Sequence, residues 1–112
     1  MSRVVMATRI KAERLEDYIA MHRDPDHAVA HFLKRFGHHD YHLHLVGDLA
    51  VASFDYSGTD LETDRQMLRQ QPRLAEWMHR TSVCQKSLSQ DPGAPVWLRL
   101  PLIFPVTRTD DQ

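Results

Sequence analysis

Residues 39–54 read HDYHLHLVGDLAVASF, and this stretch decides the fold. Its first half alternates like a strand with two distinct faces, which carry Tyr41, Leu43 and Leu45 on one side and His42, His44 and Val46 on the other. Gly47-Asp48 is typical of a tight turn. Residues 49–54 are apolar at both alternating sets of positions, which indicates a buried strand. The stretch therefore predicts a β-hairpin.

The residues before the hairpin predict a strand and then an interrupted helix. Residues 3–9 (RVVMATR) are β-branched and apolar at both alternating sets of positions, as in a strand buried on both faces. Residues 11–36 carry apolar side chains at helical spacing. Pro25 disfavours helix at the residue before it, so we expect a restart there, with Asp24 or Asp26 as the new N-cap.

After the hairpin the pattern predicts a helix over 59–71, a second helical piece from Pro72, a polar loop over 87–95 and a closing strand over 97–106. Two prolines within the last segment, Pro101 and Pro105, would confine that strand to a sheet edge. The element order is β-α-β-β-α-β, the ferredoxin-like arrangement of the α+β class. We expect one domain over 1–112, with an ordered core over about 3–106 and a flexible tail over 107–112.

The two-sided strands also predict a partner. Two helical segments can cover only one face of a four-stranded sheet, and the other face would be an exposed apolar patch that a soluble monomer rarely tolerates. We therefore expect a homodimer with the bare sheet faces opposed, a dimeric α+β barrel. Each barrel-like half would then contain a cavity that suits a small molecule.

Composition excludes several classes of protein. The 112 residues include 14 basic and 15 acidic side chains, with a net charge of −1, so nothing favours binding to nucleic acid or to an anionic membrane. No apolar run approaches the roughly 20 residues that span a bilayer, and no signal peptide is recognisable. The single cysteine, Cys84, cannot form an intrachain disulfide, which fits a reducing compartment. We expect a cytoplasmic protein.

The strongest candidates for chemistry are Tyr18 and His22. They stand four residues apart in a helical segment, so both side chains share one face. Histidine titrates near neutrality, and a neighbouring phenol can donate or accept a hydrogen bond. The pair therefore predicts acid-base catalysis on a small polar substrate.

The eight histidines do not predict a metal site. His27 and His31 share a helix face and His42 and His44 share a strand face, but no HExxH motif or recognised ligand set is present. We expect solvated or hydrogen-bonded histidines, with lining of the barrel as the alternative for His42 and His44. We predict neither a metal nor another cofactor. Cys84 lacks the local signature of a nucleophile.

Four landmarks resemble the L-rhamnose mutarotase family, whose members are small dimeric α+β barrels. They are Asp17-Tyr18-x-x-x-His22, Gly37-x-x-Asp40-Tyr41, Glu76-Trp77-Met78 and the final strand at Phe104, and the similarity covers most of residues 3–106. The resemblance implies a cofactor-free sugar mutarotase. It makes His22 the proton donor and places Tyr18, Tyr41 and Trp77 around the sugar, with Met78 in place of the second tryptophan of a pair.

Departures from the family pattern leave other functions open. Asp26-His27-Ala28 stands where members carry Trp-Pro-Glu, Asp40 replaces an asparagine, and Pro101-Leu102-Ile103-Phe104 replaces Glu-Glu-Val-Phe. The loss of the Trp-Pro-Glu run and of the two carboxylates near the end, with Met78 and Leu102 in their place, makes the expected pocket less polar than a sugar site. The alternatives are a barrel that acts on a less polar molecule, such as a polyketide-type cyclase or a cofactor-free oxygenase, and a ligand-binding dimer without chemistry.

Overall fold

A computed structural model describes residues 1–104 of the chain. The strands are β1 (Ser2–Ile10), β2 (His38–Val46), β3 (Leu49–Tyr56), β4 (Gln85–Lys86) and β5 (Leu98–Arg99). The helices are α1 (Leu15–Met21), α2 (His27–Arg35), α3 (Leu61–Arg69) and α4 (Ala75–Ser82), and short 3₁₀ turns at Ala12–Arg14 and Pro72–Leu74 precede α1 and α4. The predicted flexible tail over 107–112 lies outside the described residues.

Strand β1 lies in the middle of an antiparallel sheet whose order is β2-β3-β1-β4. It pairs with β3 along eight residues, for example Val4 with Phe54 and Met6 with Ala52. β2 and β3 form the predicted hairpin. This strand order, with helical segments between β1 and β2 and between β3 and β4, confirms the α+β class and the ferredoxin-like arrangement.

The fourth strand differs from the prediction, because two short pieces share its place. β4 pairs with Arg9 and Ile10, and β5 pairs with Met6 and Ala7 on the same edge of β1. Between these two pairings, the Thr8 hydroxyl contacts both segments, since its oxygen lies 3.0 Å from the Lys86 carbonyl and 2.7 Å from the Val96 carbonyl. The predicted strand over 97–106 is therefore only two residues long among the residues described. Pro101 cannot donate a ladder hydrogen bond, which limits the strand beyond Arg99.

One face of the sheet packs against the helices and forms the core. Its largest buried side chains include Val4, Ile10 and Phe54 from the strands and Tyr18 and Leu74 from the helical layer. These side chains leave water almost completely, and apolar burial of this kind is the main favourable contribution to folding. The face that carries the core also carries the site described below.

The opposite face of the sheet has an apolar centre and charged ends. Val5, Leu49 and Val51 are half-buried there. Arg3 pairs with Asp55 at 3.1 Å at one end, and Arg9 pairs with Asp48 at 2.7 Å at the other. The two-sided strands predict an exposed apolar patch on this face, and in the structure that patch is limited to the centre of the face. A second copy that covers this face stays a prediction.

The predicted interruption of the first helix is present between α1 and α2. Asp26 is the N-cap of α2, where its carboxylate accepts a hydrogen bond from the Ala28 backbone N–H at 2.9 Å. The same carboxylate pairs with Arg73 at 3.2 Å, which ties the start of α2 to the turn before α4. Of the two proposed caps, Asp26 and not Asp24 takes the role.

Two glycines hold left-handed backbone that other residues rarely adopt. Gly37 has φ +83° just after α2, and Gly47 has φ +60° in the hairpin turn. Their surroundings differ. A Cβ atom on Gly37 would lie 3.2 Å from a ring carbon of Tyr56 and 3.3 Å from the backbone nitrogen of Gly58, whereas one on Gly47 would meet no atom within 4 Å.

We expect Gly37→Ala to destabilise the protein more than Gly47→Ala does. Both substitutions add the backbone strain of a left-handed alanine, about 1–2 kcal/mol. Only the first also forces Tyr56 or the backbone at Gly58 to move. Urea unfolding of the two variants measures the difference in the free energy of unfolding. An equal loss in both would contradict the close packing at Gly37.

Candidate active site

A large cavity lies between the helices and the core face of the sheet. Its volume is about 1550 Å³, above the range of roughly 300–1,000 Å³ that is usual for small-molecule pockets. All four helices and β2 contribute to its wall. Much of the wall is apolar, with side chains such as Val29, Leu33, Leu43 and Leu61. Among the polar and aromatic side chains of the wall, two clusters stand out.

The first cluster consists of Tyr18, His22 and Trp77. The rings of Tyr18 and His22 have centroids 4.5 Å apart, as their spacing on one helix face predicts. The Trp77 ring meets His22 edge to face, at 5.1 Å between centroids. Tyr18 is buried within α1, and His22 is the residue that ends α1. The break between α1 and α2 therefore leaves the imidazole at a helix end beside the cavity.

The hydrogen bond of His22 determines which ring nitrogen is available. Nδ1 lies 2.6 Å from the Tyr18 backbone carbonyl oxygen, so Nδ1–H donates to that oxygen. Nε2 then carries the lone pair of the neutral ring. Burial lowers the pKa of His22 from its usual value, while the bond to the Tyr18 carbonyl acts in the opposite direction. The ring is therefore neutral near pH 7 and can accept a proton at Nε2.

The Tyr18 hydroxyl stays protonated. Burial raises the pKa of Tyr18 to about 12, although a hydrogen bond from Gln85 acts in the opposite direction. The Gln85 side-chain amide donates to the phenol oxygen at 3.4 Å. Since that bond uses an oxygen lone pair, the phenol hydrogen stays available. Tyr18 can thus donate a proton where His22 can accept one.

The second cluster contains His38, Tyr41 and Arg65. His38 is only 2% exposed and stacks on Phe54, with ring centroids 4.5 Å apart. Its Nδ1 lies 2.9 Å from the Phe36 carbonyl, and its Nε2 lies 3.4 Å from a guanidinium nitrogen of Arg65. Both contacts fit a neutral ring that donates from Nδ1 and accepts at Nε2. Burial, with the nearby Arg65 cation, lowers the pKa of His38 to about 4.

Sequence reasoning did not find His38, because a bulge changes the strand alternation. The β2–β3 register shifts between His39 and His42, and Asp40 has φ +52° there. As a result His38 and Tyr41 both contact Phe54, although they are three residues apart. Uninterrupted alternation would put them on opposite faces. No sequence signal marks this bulge, apart from an aspartate that tolerates the left-handed region.

Arg65 was also missed, although a signal was present. It follows Leu61 by four residues and precedes Leu68 by three on α3, so the three share a face. Leu68 is buried, and Leu61 and Arg65 line the cavity. Met67, an apolar residue of the same helix, lies off this face and is 44% exposed. Charged residues of this helix were interpreted as solvent-exposed, so Arg65 was not expected to line a cavity.

All five residues predicted from the sequence line the same cavity, namely Tyr18, His22, Tyr41, Trp77 and Met78. His22 contacts both Tyr18 and Trp77, whereas Tyr41 stacks on Phe54 at 5.4 Å within the second cluster. Met78 neighbours Trp77 on α4. The catalytic and binding roles of these side chains stay predictions.

The remaining candidate residues lie elsewhere or form no site. Within residues 1–104, no group of three or more His, Cys, Asp or Glu side chains could hold a metal ion. His42 and His44 are exposed and stack on each other at 6.3 Å, and only His42 borders the cavity. Cys84 is buried, and burial raises the pKa of its thiol, which disfavours a nucleophilic role. Of the helices described, none is long and apolar enough to cross a membrane.

Comparison with known proteins gives a family and a shared fold. The family model for L-rhamnose mutarotase matches residues 3–106. The chain is similar to tetracenomycin F2 cyclase from Streptomyces glaucescens, a type-II polyketide cyclase, with 16% identity, a TM-score of 0.70 and coverage of 96% of this chain and 98% of that chain. It is similar to an L-rhamnose mutarotase from Formosa agariphila, with 16% identity, a TM-score of 0.69 and coverage of 96% and 100%. None of the curated proteins matches by sequence.

We expect acid to destabilise the protein through His38. Its pKa is lower in the folded state than the usual 6.5, so the stabilisation is complete above pH 6.5 and is lost as the pH falls toward about 4. Because one pKa unit corresponds to about 1.4 kcal/mol, the loss between pH 6.5 and about pH 5 is roughly 2 kcal/mol. Urea unfolding at several pH values measures it.

The variant His38→Gln keeps hydrogen-bonding groups at this position and cannot titrate. Its stability should depend less on pH in this window than that of the wild type. His79→Gln, at an exposed position of α4, is the matched control and should keep the wild-type dependence. Identical pH dependence in the wild type and His38→Gln would show that His38 is not held neutral by the fold.

Proposed function

Because this chain belongs to the L-rhamnose mutarotase family, we propose that it interconverts the anomers of a reducing deoxy-sugar, such as L-rhamnose or L-fucose, without a cofactor. One observation carries the proposal. A neutral imidazole with a free Nε2 and a protonated phenol stand side by side in a cavity, with ring centroids 4.5 Å apart. Mutarotation needs one group that accepts a proton and one that donates it.

The proposed reaction begins with the closed sugar. His22 Nε2 accepts the proton of the anomeric hydroxyl while the Tyr18 hydroxyl donates its proton to the ring oxygen. The bond between the anomeric carbon and the ring oxygen breaks, and the open-chain aldehyde forms. After rotation about the bond between C1 and C2, the ring oxygen attacks the other face of the carbonyl. His22 then returns its proton to the new anomeric hydroxyl, and Tyr18 recovers its own.

Trp77 supports this assignment through its position. It contacts His22 edge to face and lines the cavity, so its ring can also lie against the apolar face of a sugar. Tyr41 and Met78 border the same space. A ligand that lies in the cavity against Trp77 would place its reacting atoms next to both proton-transfer groups.

The proposed active form is a homodimer. Val5, Leu49 and Val51 leave an apolar centre on the uncovered sheet face. In addition, the last described residues Leu102, Ile103 and Phe104 are 80%, 89% and 76% exposed. Large side chains exposed to this degree in a row are unusual on a monomer. A second copy would cover both surfaces.

A polyketide-type cyclase is the second candidate, and the cavity favours it. The cavity exceeds the space that a monosaccharide needs, and leucine, valine and methionine side chains form much of its wall. Met78 also stands where the family carries a second tryptophan. The structural likeness to the Streptomyces glaucescens enzyme supports this reading only through the fold, at 16% identity.

We expect His22→Gln to reduce anomer exchange by at least 100-fold, since removal of a general base costs roughly 10²–10⁴ in rate. Saturation-transfer NMR on L-rhamnose and L-fucose measures the exchange. His79→Gln, outside the cavity on the same helix as Trp77, is the control and should exchange at the wild-type rate. In the wild type the rate should be constant near pH 7 and should fall only below pH 6.5, because burial lowers the pKa of His22.

Two results would argue against this role. If His22→Gln exchanged the anomers as fast as the wild type, the imidazole would not be the base. If the wild type accelerated neither sugar, the mutarotase proposal would lose to the cyclase or to a binding function.

Sedimentation equilibrium should give the mass of a dimer at micromolar concentration. Val51→Lys places a charge in the centre of the uncovered face and should shift the protein toward the monomer. Met67→Lys changes an exposed apolar residue on the helical side and should leave the dimer intact. A wild-type monomer, or a Val51→Lys protein as dimeric as the wild type, would contradict the proposed interface.

A further inference from the structure

Arg65 is a half-buried cation without a carboxylate partner among the described residues. Three other arginines pair with a carboxylate, namely Arg3 with Asp55, Arg9 with Asp48 and Arg73 with Asp26. In the part of the chain that the structure describes, Arg65 differs from the remaining unpaired arginines of the cavity wall, Arg69 and Arg99, because they are exposed. Arg65 instead contacts the His38 ring at 3.4 Å, and the Tyr41 hydroxyl also accepts a hydrogen bond from it. A guanidinium offers five N–H donors in a fixed plane, so these contacts leave donors for a ligand.

The neighbours of Arg65 do not neutralise it. His38 is a neutral acceptor in this arrangement, because its Nδ1–H is committed to the Phe36 carbonyl. Burial raises the pKa of Tyr41, so its hydroxyl is also uncharged near neutrality. A cation held away from water without a counter-charge is unfavourable in the empty protein. A bound anion would relieve that cost.

The cavity wall as a whole carries more positive than negative side chains. Its basic side chains are Lys34, Arg65, Arg69 and Arg99, and its acidic side chains are Asp40 and Glu62. The carboxylate of Asp40, a residue of the strand bulge, also pairs with Arg3 at 3.5 Å. A positive surplus therefore faces the cavity, although the whole chain has a net charge of −1. A cavity of this charge attracts anions.

We propose that Arg65, positioned by His38, binds a carboxylate of the ligand, and that the natural substrate is a reducing sugar that carries a carboxylate group. This inference rests on the proposed mutarotase chemistry of Tyr18 and His22, and it replaces the neutral deoxy-sugar by an acidic sugar as the natural substrate. Arginine matches the geometry of a carboxylate through two parallel N–H donors. Tyr18, His22 and Trp77 would act at the anomeric end of the sugar, and Arg65 would hold the acidic end.

The test compares ligands that differ in charge. Isothermal titration measures the binding of D-galacturonate, of the neutral sugar D-galactose and of 1-naphthoate, an apolar carboxylate. We expect D-galacturonate to bind more tightly than D-galactose, and Arg65→Met to weaken it by roughly 10- to 100-fold, as for a lost hydrogen bond to a charged group. The same variant should change D-galactose binding little. Arg65→Lys should recover part of the affinity, since it keeps the charge but loses the paired donors.

Arg35→Met is the matched control, because it removes an exposed arginine outside the cavity wall. It should bind D-galacturonate like the wild type. An Arg65-dependent preference for 1-naphthoate over D-galacturonate would retain the carboxylate subsite and overturn the sugar-acid substrate. If Arg65→Met bound both carboxylates as tightly as the wild type, or lost neutral and acidic sugars equally, the subsite itself would be overturned. Anomer exchange by the His22 pair is measured separately on neutral sugars, so the two failures remain distinguishable.

Discussion

The pairing of β1 with strands on both of its edges is the constraint on which the other elements depend. One edge bonds to β3 over eight residues, and the other is divided between β4 and β5, with the Thr8 hydroxyl between them. The residues just before β4 form α4, so this pairing also places Trp77 over the core face. Because β3 carries β2 on its outer edge, the second polar cluster is fixed to the same frame. The sheet thus positions both clusters that face the cavity, although Tyr18, His22, Trp77 and Arg65 themselves belong to the helical layer.

The protonation states of the side chains that face the cavity follow from their burial away from water. Burial favours the neutral form of an ionisable group, so it lowers the pKa of a histidine and raises that of a tyrosine. His22, His38 and Tyr18 all follow this rule. The result is a base and an acid that are both uncharged before they react. Burial also lowers the pKa of Arg65, but its side chain stays charged, because a guanidinium does not lose its proton in proteins.

Sequence patterns gave the elements that depend on local rules. Alternation and a Gly-Asp turn gave the hairpin, Pro25 gave the break after α1, and a four-residue spacing gave the contact of Tyr18 with His22. The features that were missed depend on long-range packing. The bulge that brings His38 beside Tyr41 exists only in the pairing of β2 with β3, and the divided fourth strand exists only because β1 accepts two partners. Arg65 was missed because charged residues of the predicted helices were interpreted as solvent-exposed, although its position places it on the same face of α3 as Leu61 and Leu68.

The divided fourth strand has a consequence for how this protein can vary. β4 and β5 each hold β1 through two residues, and the connection between them makes no continuous ladder. That connection ends at Pro95, Val96 and Trp97, which belong to the cavity wall. Residues can therefore be added to or removed from its exposed part, around Asp91–Gly93, while both anchors keep their register. The strands that pair with β1 stabilise the fold, whereas the connection between β4 and β5 contributes to the cavity wall. The connection can therefore change in evolution at little cost to the stability of the sheet.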